Sequence, residues 1–209
     1  MSDVINILKK VGAIITDGHF VYTSGKHGSV YVNKDAVYPH TKETSKIGKM
    51  FAEKFKHLNI EVVAAPALGG IILSQWVAYH LSKLRGKEVL GIYTEKTLDK
   101  KMIFTRGYDK LVKGKNVLVI EDLTTTGGSV RKVVDTTKLA GGKVVAVCVM
   151  VNRDPVHVTS KVVGGRFSSL GVLKASAFNE ADCELCKRNI PINTEVGHGR
   201  KYIEKKQNN

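Results

Sequence analysis

Three uninterrupted, valine-rich apolar runs constrain the fold of this chain more than any other feature. They span residues 62–65, 116–120 and 143–151, and the first two are each followed by a small-residue loop and a helically spaced stretch, to about Leu84 and about Leu139. A strand that is buried on both faces needs no polar alternation, and such strands alternate with helices in parallel sheets. The sequence therefore predicts an α/β fold with a doubly wound, mainly parallel central sheet and helices on both faces.

The first forty residues follow a different pattern. Apolar residues recur at helical spacing before Gly12, which predicts a short amphipathic helix with Val4, Ile5, Leu8 and Val11 on its buried face. Residues 19–24 and 29–34 are extended runs separated by the turn-forming residues 24–28. This spacing is typical of two paired strands and predicts a hairpin-like flap.

The remaining organisation indicates a single folding unit. A helix is expected over residues 41–58, and no linker, internal repeat or low-complexity tract interrupts the chain. At 209 residues, 43% of them hydrophobic, the chain is long enough to close one core. We expect one domain over residues 1–209, with the flap within about residues 1–40.

Composition narrows the class of partner and the compartment. Lys and Arg number 33 against 19 Asp and Glu, a net charge of +14, which favours phosphates, nucleotides or nucleic acid as partners. Three cysteines in a chain of this size suggest a reducing compartment, and neither a membrane span nor a signal peptide is recognisable. We therefore expect a cytoplasmic protein that does not associate with membranes.

A charged segment, residues 95–115, separates two of the predicted units. It carries seven basic residues against three acidic ones: Lys96, Lys100, Lys101, Arg106, Lys110, Lys113 and Lys115 against Glu95, Asp99 and Asp109. A mobile, positively charged loop is one interpretation, and a solvated hairpin with ordinary surface lysines is an equal alternative.

The segment VLVIEDLTTTGGS, residues 117–129, contains the most chemical information. Ligands of α/β sheets collect at the carboxyl ends of strands, where Glu121, Asp122 and the small hydroxyl-rich loop 124–129 must lie. The loop amides and the following helix dipole suit a phosphate, but two carboxylates would repel one unless they bind ribose hydroxyls or a hydrated Mg²⁺. The segment therefore predicts a sugar-phosphate site, the alternative being a helix N-cap cluster. The glycine patterns of P-loop and dinucleotide-binding proteins are absent from the sequence.

Residues 117–129 resemble the signature with which type I phosphoribosyltransferases bind phosphoribosyl pyrophosphate (PRPP). The rest of the chain resembles the orotate branch of that family almost from end to end. Residues 18–27 and 31–34 resemble its N-terminal hood, residues 66–70 its pyrophosphate loop, and residues 151–154 the strand end that carries an orotate-binding arginine.

The resemblance implies a binding site for PRPP. Glu121 and Asp122 would bind the ribose 2′- and 3′-hydroxyls, residues 124–129 the 5′-phosphate, and residues 67–70 the pyrophosphate and its Mg²⁺. The residues expected to bind PRPP are Glu121, Asp122, Leu123, Thr124, Thr125, Thr126, Gly127, Gly128, Ser129, Ala67, Leu68, Gly69 and Gly70. No side chain is expected to ligate the Mg²⁺ directly.

The same resemblance implies an orotate site and a closing loop. Arg153 would pair with the orotate carboxylate, helped by Thr125 and Lys26, because a planar guanidinium suits a carboxylate. Lys96 would reach the pyrophosphate from the basic loop, often in the active site of a neighbouring subunit, with Lys100 as its catalytic companion. A homodimer is therefore expected.

Two departures from the family pattern concern that loop and the hood. No histidine occurs within residues 95–115, where the family usually has one. The missing positive charge falls to one of three residues, Lys100, Lys101 or Arg106. Thr23 stands where some relatives carry a lysine, for which Lys26 or Lys34 is the candidate replacement.

Cys183 and Cys186 form a single C-x-x-C pair. One pair supplies two of the four ligands of a structural zinc, and His198, the nearest histidine downstream, leaves the set incomplete. We interpret the pair as two surface thiols, with a metal site as the alternative. His157 and His198 are interpreted as surface residues.

The expected reaction is Mg²⁺-dependent transfer of the phosphoribosyl group from PRPP to orotate, giving orotidine 5′-phosphate and pyrophosphate in pyrimidine biosynthesis. One alternative is the same chemistry on a purine or uracil. The other is a PRPP-sensing regulator that binds nucleic acid, which only the net charge favours. We find no added DNA-binding segment, so nucleic acid is not expected as a partner.

Overall fold

The computed structural model describes residues 3–22 and 24–207. The strands are, in chain order, β1 (Ile14–Ile15), β2 (Phe20–Val21), β3 (His27–Gly28), β4 (Tyr31–Val32), β5 (Val62–Pro66), β6 (Leu90–Lys96), β7 (Met102–Ile103), β8 (Asn116–Thr124), β9 (Lys143–Asn152) and β10 (Phe167–Val172). The helices are α1 (Asp3–Lys10), α2 (Thr41–Phe55), α3 (Gly69–Arg85), α4 (Tyr108–Val112), α5 (Gly128–Leu139), α6 (Ser160–Val163), α7 (Glu184–Lys187) and α8 (Gly199–Gln207). Lys34–Val37 and Glu180–Asp182 are 3₁₀ turns.

A six-stranded sheet forms the centre of the molecule, in the order β10-β9-β8-β5-β6-β7. Its first five strands run parallel, and only β7 runs antiparallel, to β6. The predicted doubly wound, mainly parallel α/β sheet is confirmed. The carboxyl ends of β9, β8, β5 and β6 consequently lie side by side at one edge of the sheet.

Alternate residues of β8 supply two different cores. Leu118 and Ile120 pack in the cluster that contains Phe51 of α2, whereas Val117 and Val119 pack in the cluster that contains Val133 of α5. All four β8 residues are fully buried. The absence of polar alternation in this strand is thus explained by burial on both faces.

The strands of the N-terminal segment pair differently from the sequence prediction. β2 pairs with β3, and β4 pairs with β1, so the run 29–34 does not pair with the run 19–24. The turn closes early, because Gly25 adopts φ +77° and the Tyr22 amide donates to the Lys26 carbonyl over 2.8 Å. Thr23, the departure noted in the hood, lies outside the described residues.

The C-terminal segment completes the hood. The His27 and Phe178 backbones exchange hydrogen bonds of 2.8 and 2.9 Å, and the Asn193 amide donates to the His19 carbonyl over 2.7 Å. We use "hood" below for residues 14–32 together with this returning segment, 178–207. Within residues 3–22 and 24–207, no helix combines the length and apolarity needed to cross a membrane.

Residues 95–115 fold as an antiparallel hairpin, β6–β7, followed by the short helix α4. The Thr97 amide donates to the Lys101 carbonyl over 3.0 Å to close the turn. Part of the positive charge is balanced locally, because Lys101 pairs with Asp99 at 2.7 Å and Arg106 pairs with Glu95 at 3.1 Å.

Candidate functional site

A cleft of about 980 Å³ opens at the carboxyl ends of β8 and β9, beneath the hood. Most of the predicted site residues line it. These are Lys26, Glu121, Leu123, Thr124, Thr125, Thr126, Gly128, Ser129 and Arg153. Residues from three distant parts of the chain are thus brought to one cavity by the parallel sheet.

The two acidic residues at the end of β8 face different surroundings. Glu121 lines the cleft and is 7% exposed, and its burial together with the charge of Asp122 raises the pKa of Glu121 to about 8. Asp122 accepts hydrogen bonds from Lys34 Nζ at 3.0 Å and Tyr38 Oη at 2.9 Å. The pair therefore offers one buried carboxyl group with a raised pKa and one carboxyl group that already has two hydrogen-bond partners.

The loop 124–129 forms an anion-binding turn at the start of α5. The Gly127 amide donates to Thr124 Oγ1 over 3.0 Å, and Gly127 adopts φ +77°, in the left-handed region that favours glycine. Thr125, Thr126 and Ser129 remain exposed at the N-terminus of this twelve-residue helix. Their hydroxyls and the positive end of the α5 dipole suit a phosphate.

Arg153 follows β9 directly, and its amide donates to the Thr124 carbonyl over 2.9 Å. Its guanidinium lies 4.7 Å from the centre of the Tyr22 ring, which orients it by a cation–π contact. Within the described part of the chain, its buried Nε atom has no hydrogen-bond partner. A buried donor of this kind, on a charged group that lines a cleft, suits a carboxylate or phosphate ligand.

Residues 67–70 join β5, the strand that pairs with β8, to the first turn of α3. The Ala67 amide donates to the Thr94 carbonyl over 2.8 Å, and the Ala67–Leu68 peptide bond is cis. A Cβ atom on Gly69 would lie 2.3 Å from Asp122 Oδ2, and one on Gly70 would lie 2.7 Å from the Ala65 Cβ. Glycine is required at both positions by close packing, and Gly69 joins this loop to the acidic pair.

Lys96 and Lys100 lie apart from the cleft. Lys96 is the last residue of β6, and β5 lies between β6 and β8, the strand that carries Glu121 and Asp122. Lys100 lies in the β6–β7 turn and has φ +62°. Both side chains are exposed, and neither is among the described residues that line the cleft. Within a single chain, the structure does not bring these two lysines to the predicted site residues that line the cleft.

Sequence reasoning missed the groups that hold Asp122. The sequence analysis named Lys34 only as a candidate replacement for a lysine at position 23. Tyr38 belongs to no motif that would have singled it out. Burial of Tyr38 beside Asp122 raises the pKa of its phenol far above the usual range, so it remains a hydrogen-bond donor. Tyr22, which packs against the guanidinium of Arg153, was covered by the hood range 18–27 but was not predicted to contact the site.

The interpretation of Cys183 and Cys186 as surface thiols is wrong. Cys183 is 1% exposed, and Cys186 is half-buried. The histidines beside them are His19 and His27, which lie far upstream in the hood. The downstream search for ligands missed them because only the fold brings positions more than 150 residues apart together.

Comparison with known proteins adds independent information. Residues 33–159 match the family model described as "Phosphoribosyl transferase domain". The orotate phosphoribosyltransferase of Caldanaerobacter subterraneus subsp. tengcongensis is 35% identical over 90% of this chain and 93% of its own. That of Thermotoga maritima is 35% identical over 93% of this chain and 98% of its own.

A similar fold occurs among solved structures. The Mycobacterium tuberculosis orotate phosphoribosyltransferase, solved in complex with PRPP, superposes with a TM-score of 0.61. The superposition covers 82% of this chain and 96% of that one at 22% identity, a level at which the likeness concerns the fold.

Proposed function

Because the chain belongs to the orotate phosphoribosyltransferase family, a family of pentosyltransferases, we propose that it transfers the phosphoribosyl group of PRPP to orotate. The products are orotidine 5′-phosphate and pyrophosphate. The observation that carries the proposal is the meeting of Glu121, the 124–129 loop and Arg153 in one cleft, where the buried Arg153 Nε has no hydrogen-bond partner among the described residues.

PRPP fits the acidic end of the cleft. The 5′-phosphate would bind the amides and hydroxyls of residues 124–129, where the dipole of α5 stabilises negative charge. The ribose hydroxyls would bind Glu121 and Asp122, and the pyrophosphate would extend towards residues 67–70. Contact of Gly69 with Asp122 supports continuity between these last two subsites.

Mg²⁺ is compatible with the residues present. Asp122 is occupied by Lys34 and Tyr38, and the buried Glu121 has a raised pKa, so the pair does not form a side-chain cage for a metal. An ion carried by the pyrophosphate and ribose oxygens would need the acids only to bind the hydroxyls. When bound, Mg²⁺ neutralises charge on the departing pyrophosphate.

Orotate would occupy the other end of the cleft. Arg153, held by the Tyr22 ring, would bind the carboxylate through two hydrogen bonds, with Thr125 and Lys26 beside it. N1 of orotate would then attack C1 of the ribose. As pyrophosphate leaves, C1 acquires oxocarbenium character, so the chain contributes positioning and charge stabilisation and needs no protein nucleophile.

The basic hairpin β6–β7 would supply the positive charge that the site needs. Lys96 and Lys100 would neutralise the leaving pyrophosphate from the neighbouring subunit of a homodimer. Their exposure, and the fact that they are not among the described residues lining the cleft of their own chain, support a role in trans. The phosphorylated substrates and the three free cysteines support a cytoplasmic location.

An absorbance assay tests the proposed function. The purified protein with PRPP and Mg²⁺ should remove the ultraviolet absorbance of orotate and release pyrophosphate, and omission of PRPP or chelation of Mg²⁺ should stop both. Uracil, adenine and hypoxanthine serve as matched acceptors that lack the carboxylate. Pyrophosphate release with one of these bases and none with orotate would establish the alternative phosphoribosyltransferase.

A further inference from the structure

Four metal-binding side chains meet where the two parts of the hood join. They are His19, His27, Cys183 and Cys186, and one ligand atom of each lies within 4.8 Å of all the others. His19, His27 and Cys183 are at most 2% exposed. The cluster lies outside the set of residues that line the cleft, and the proposed phosphoribosyl transfer does not use it.

The nitrogen–sulfur distances within the cluster are close to those around a tetrahedral ion, and the two histidine nitrogens lie closer together than in such a site. His19 Nε2 lies 2.8 Å from His27 Nδ1, and Cys186 Sγ lies 3.6 and 3.3 Å from these two atoms respectively. Cys183 Sγ lies 3.8 Å from His19 Nε2. Zn–N and Zn–S bonds of usual length place two nitrogens about 3.3 Å apart and a nitrogen and a sulfur about 3.5 Å apart.

The local structure orients the ligand atoms. His19 Nδ1 lies 2.7 Å from the Ile190 carbonyl oxygen, which can only accept, so Nδ1 carries the hydrogen and the Nε2 lone pair faces the cluster. This is the outer hydrogen bond that metal-bound histidines usually make. On the cysteine side, the Asn189 amide donates to the Cys186 carbonyl over 2.9 Å, and Asn189 adopts φ +51°. These contacts turn the chain sharply around the C-x-x-C pair.

We propose that these four side chains bind one structural Zn²⁺ ion that joins the two parts of the hood. Two imidazole nitrogens and two thiolate sulfurs form a complete tetrahedral set, which leaves no open position for catalysis. Soft sulfur ligands favour zinc over the magnesium expected with PRPP, and the two thiolates balance the charge of the ion. The thiols lose their protons as the ion binds.

The ion would fix one wall of the cleft. The chain between the two histidines includes Tyr22 and Lys26, which line the cleft, and the Cys183–Cys186 segment belongs to the returning chain. A metal at this junction links two segments more than 150 residues apart, and its binding free energy stabilises the folded hood. Its removal should therefore loosen the hood while the central sheet remains.

Metal analysis of reduced protein, purified without a polyhistidine tag, tests the proposal. We expect about one zinc ion per chain. Replacement by Co²⁺ should give the visible d–d bands and the thiolate charge-transfer band of a tetrahedral site. Cys186→Ser keeps size and polarity at a half-buried position, so it should fold while losing the metal and these bands; the separate His19→Asn variant should do the same.

Cys148→Ala is the matched control, because Cys148 is a free thiol in strand β9 of the central sheet and does not belong to the cluster. It should retain full zinc content and the cobalt spectrum. For the wild type, a chelator should lower the melting temperature and added Zn²⁺ should restore it. Substoichiometric zinc, no thiolate–cobalt band, or equal metal content in wild type and Cys186→Ser would overturn the proposal. Because zinc content is measured without substrate, the result is independent of the proposed reaction.

Discussion

At the scale of single residues, the cleft is defined by charges in unusual settings. Glu121 is a buried acid without an ion-pair partner among the described residues, next to Asp122, whose charge is held by Lys34. Arg153 is a cation whose buried Nε has no partner in the described chain. Each arrangement costs folding free energy and is reasonable where a ligand completes it.

Replacement of Glu121 by glutamine should change the pH dependence of stability. The pKa of Glu121 is raised from the ordinary glutamate value of 4.5 to about 8 in the folded chain. Between these values the folded chain keeps a proton that the unfolded chain has released, so this group lowers the free energy of unfolding as pH rises. From pH 6 to pH 8 the wild type should lose up to about 2 kcal/mol relative to Glu121→Gln.

Urea unfolding of both proteins at the two pH values measures this difference. Glu204→Gln is the control, because Glu204 lies exposed on α8. Parallel pH profiles for wild type and Glu121→Gln would contradict the raised pKa.

Loss of the Arg153 guanidinium should affect orotate more than PRPP. Arg153→Ala removes the proposed partner of the carboxylate and should raise the KM for orotate by about 100-fold, with a small change in the KM for PRPP. Arg153→Lys should recover only part, because an ammonium group cannot form the two parallel hydrogen bonds. Steady-state kinetics with each substrate varied in turn gives both constants.

Arg166→Ala provides the control for that series, since Arg166 is an exposed arginine just before β10. It should behave as wild type. Equal increases of both KM values in Arg153→Ala would count against the carboxylate assignment.

At the scale of elements, the strand–loop–helix unit β8–α5 determines where a phosphate can bind. Its loop closes through the hydrogen bond between the Gly127 amide and Thr124 Oγ1. The first turn of α5 also contacts the acidic pair, because the Val130 backbone amide hydrogen-bonds to Glu121. The same kind of unit recurs at β5–α3, where Gly69 brings the backbone close to Asp122 of β8.

Adjacent glycines in this unit should differ in their tolerance of a side chain. Gly127 has φ +77°, and a Cβ atom there would lie 3.0 Å from Val162 Cγ1, so Gly127→Ala should lower the free energy of unfolding by about 1–2 kcal/mol. A Cβ atom on Gly128 would meet its nearest atom, Thr126 Oγ1, at 3.5 Å. Gly128→Ala should therefore leave stability unchanged or raise it, because alanine favours helix formation.

Urea denaturation of the two variants measures both effects. The comparison is matched, since each variant adds one methyl group to neighbouring positions of the same turn. A similar loss of stability in both would show that the turn is disturbed by bulk and not by backbone conformation.

At the scale of the whole molecule, the hood is built from residues near both ends of the chain. The basic hairpin, β6–β7, lies at one edge of the central sheet. Lys96 and Lys100 are not among the described residues that line the cleft of their own chain. A homodimer with shared sites, as proposed above, would reconcile this separation with a role for Lys96 in turnover.

Mixed dimers test the shared site. Lys96→Ala and Glu121→Ala should each be nearly inactive as a pure protein. If they are unfolded together and refolded as a mixture, about half of the dimers should be hybrids with one intact site of two, which gives about a quarter of the wild-type rate. The assay of orotate consumption reads this directly.

Lys110→Ala, at an exposed lysine of α4 in the same basic segment, is the control and should keep full activity. No recovery of activity in the mixture would contradict a role of Lys96 in trans.

Much of the fold and of the proposed PRPP end of the site was predictable from local sequence. The valine runs identify strands buried on both faces, and Glu121, Asp122 and the 124–129 loop fall at a strand end by position alone. The hood strands were mispaired because each is two residues long and its register depends on one turn. The contacts of Tyr38 with Asp122 and of Tyr22 with Arg153 join segments whose spacing in sequence carries no signal.

The sequence by itself thus determined the elements whose pattern is local: the parallel sheet, its helices and the small-residue loops that follow its strands. Only the tertiary structure decided which distant side chains share an environment, including the raised pKa of Glu121 and the gathering of His19 and His27 with Cys183 and Cys186. The physical reason is that hydrophobic periodicity and turn preference act between neighbours along the chain. Desolvation, ion pairing and metal ligation depend on distances in space, which exist only once the chain has closed on itself.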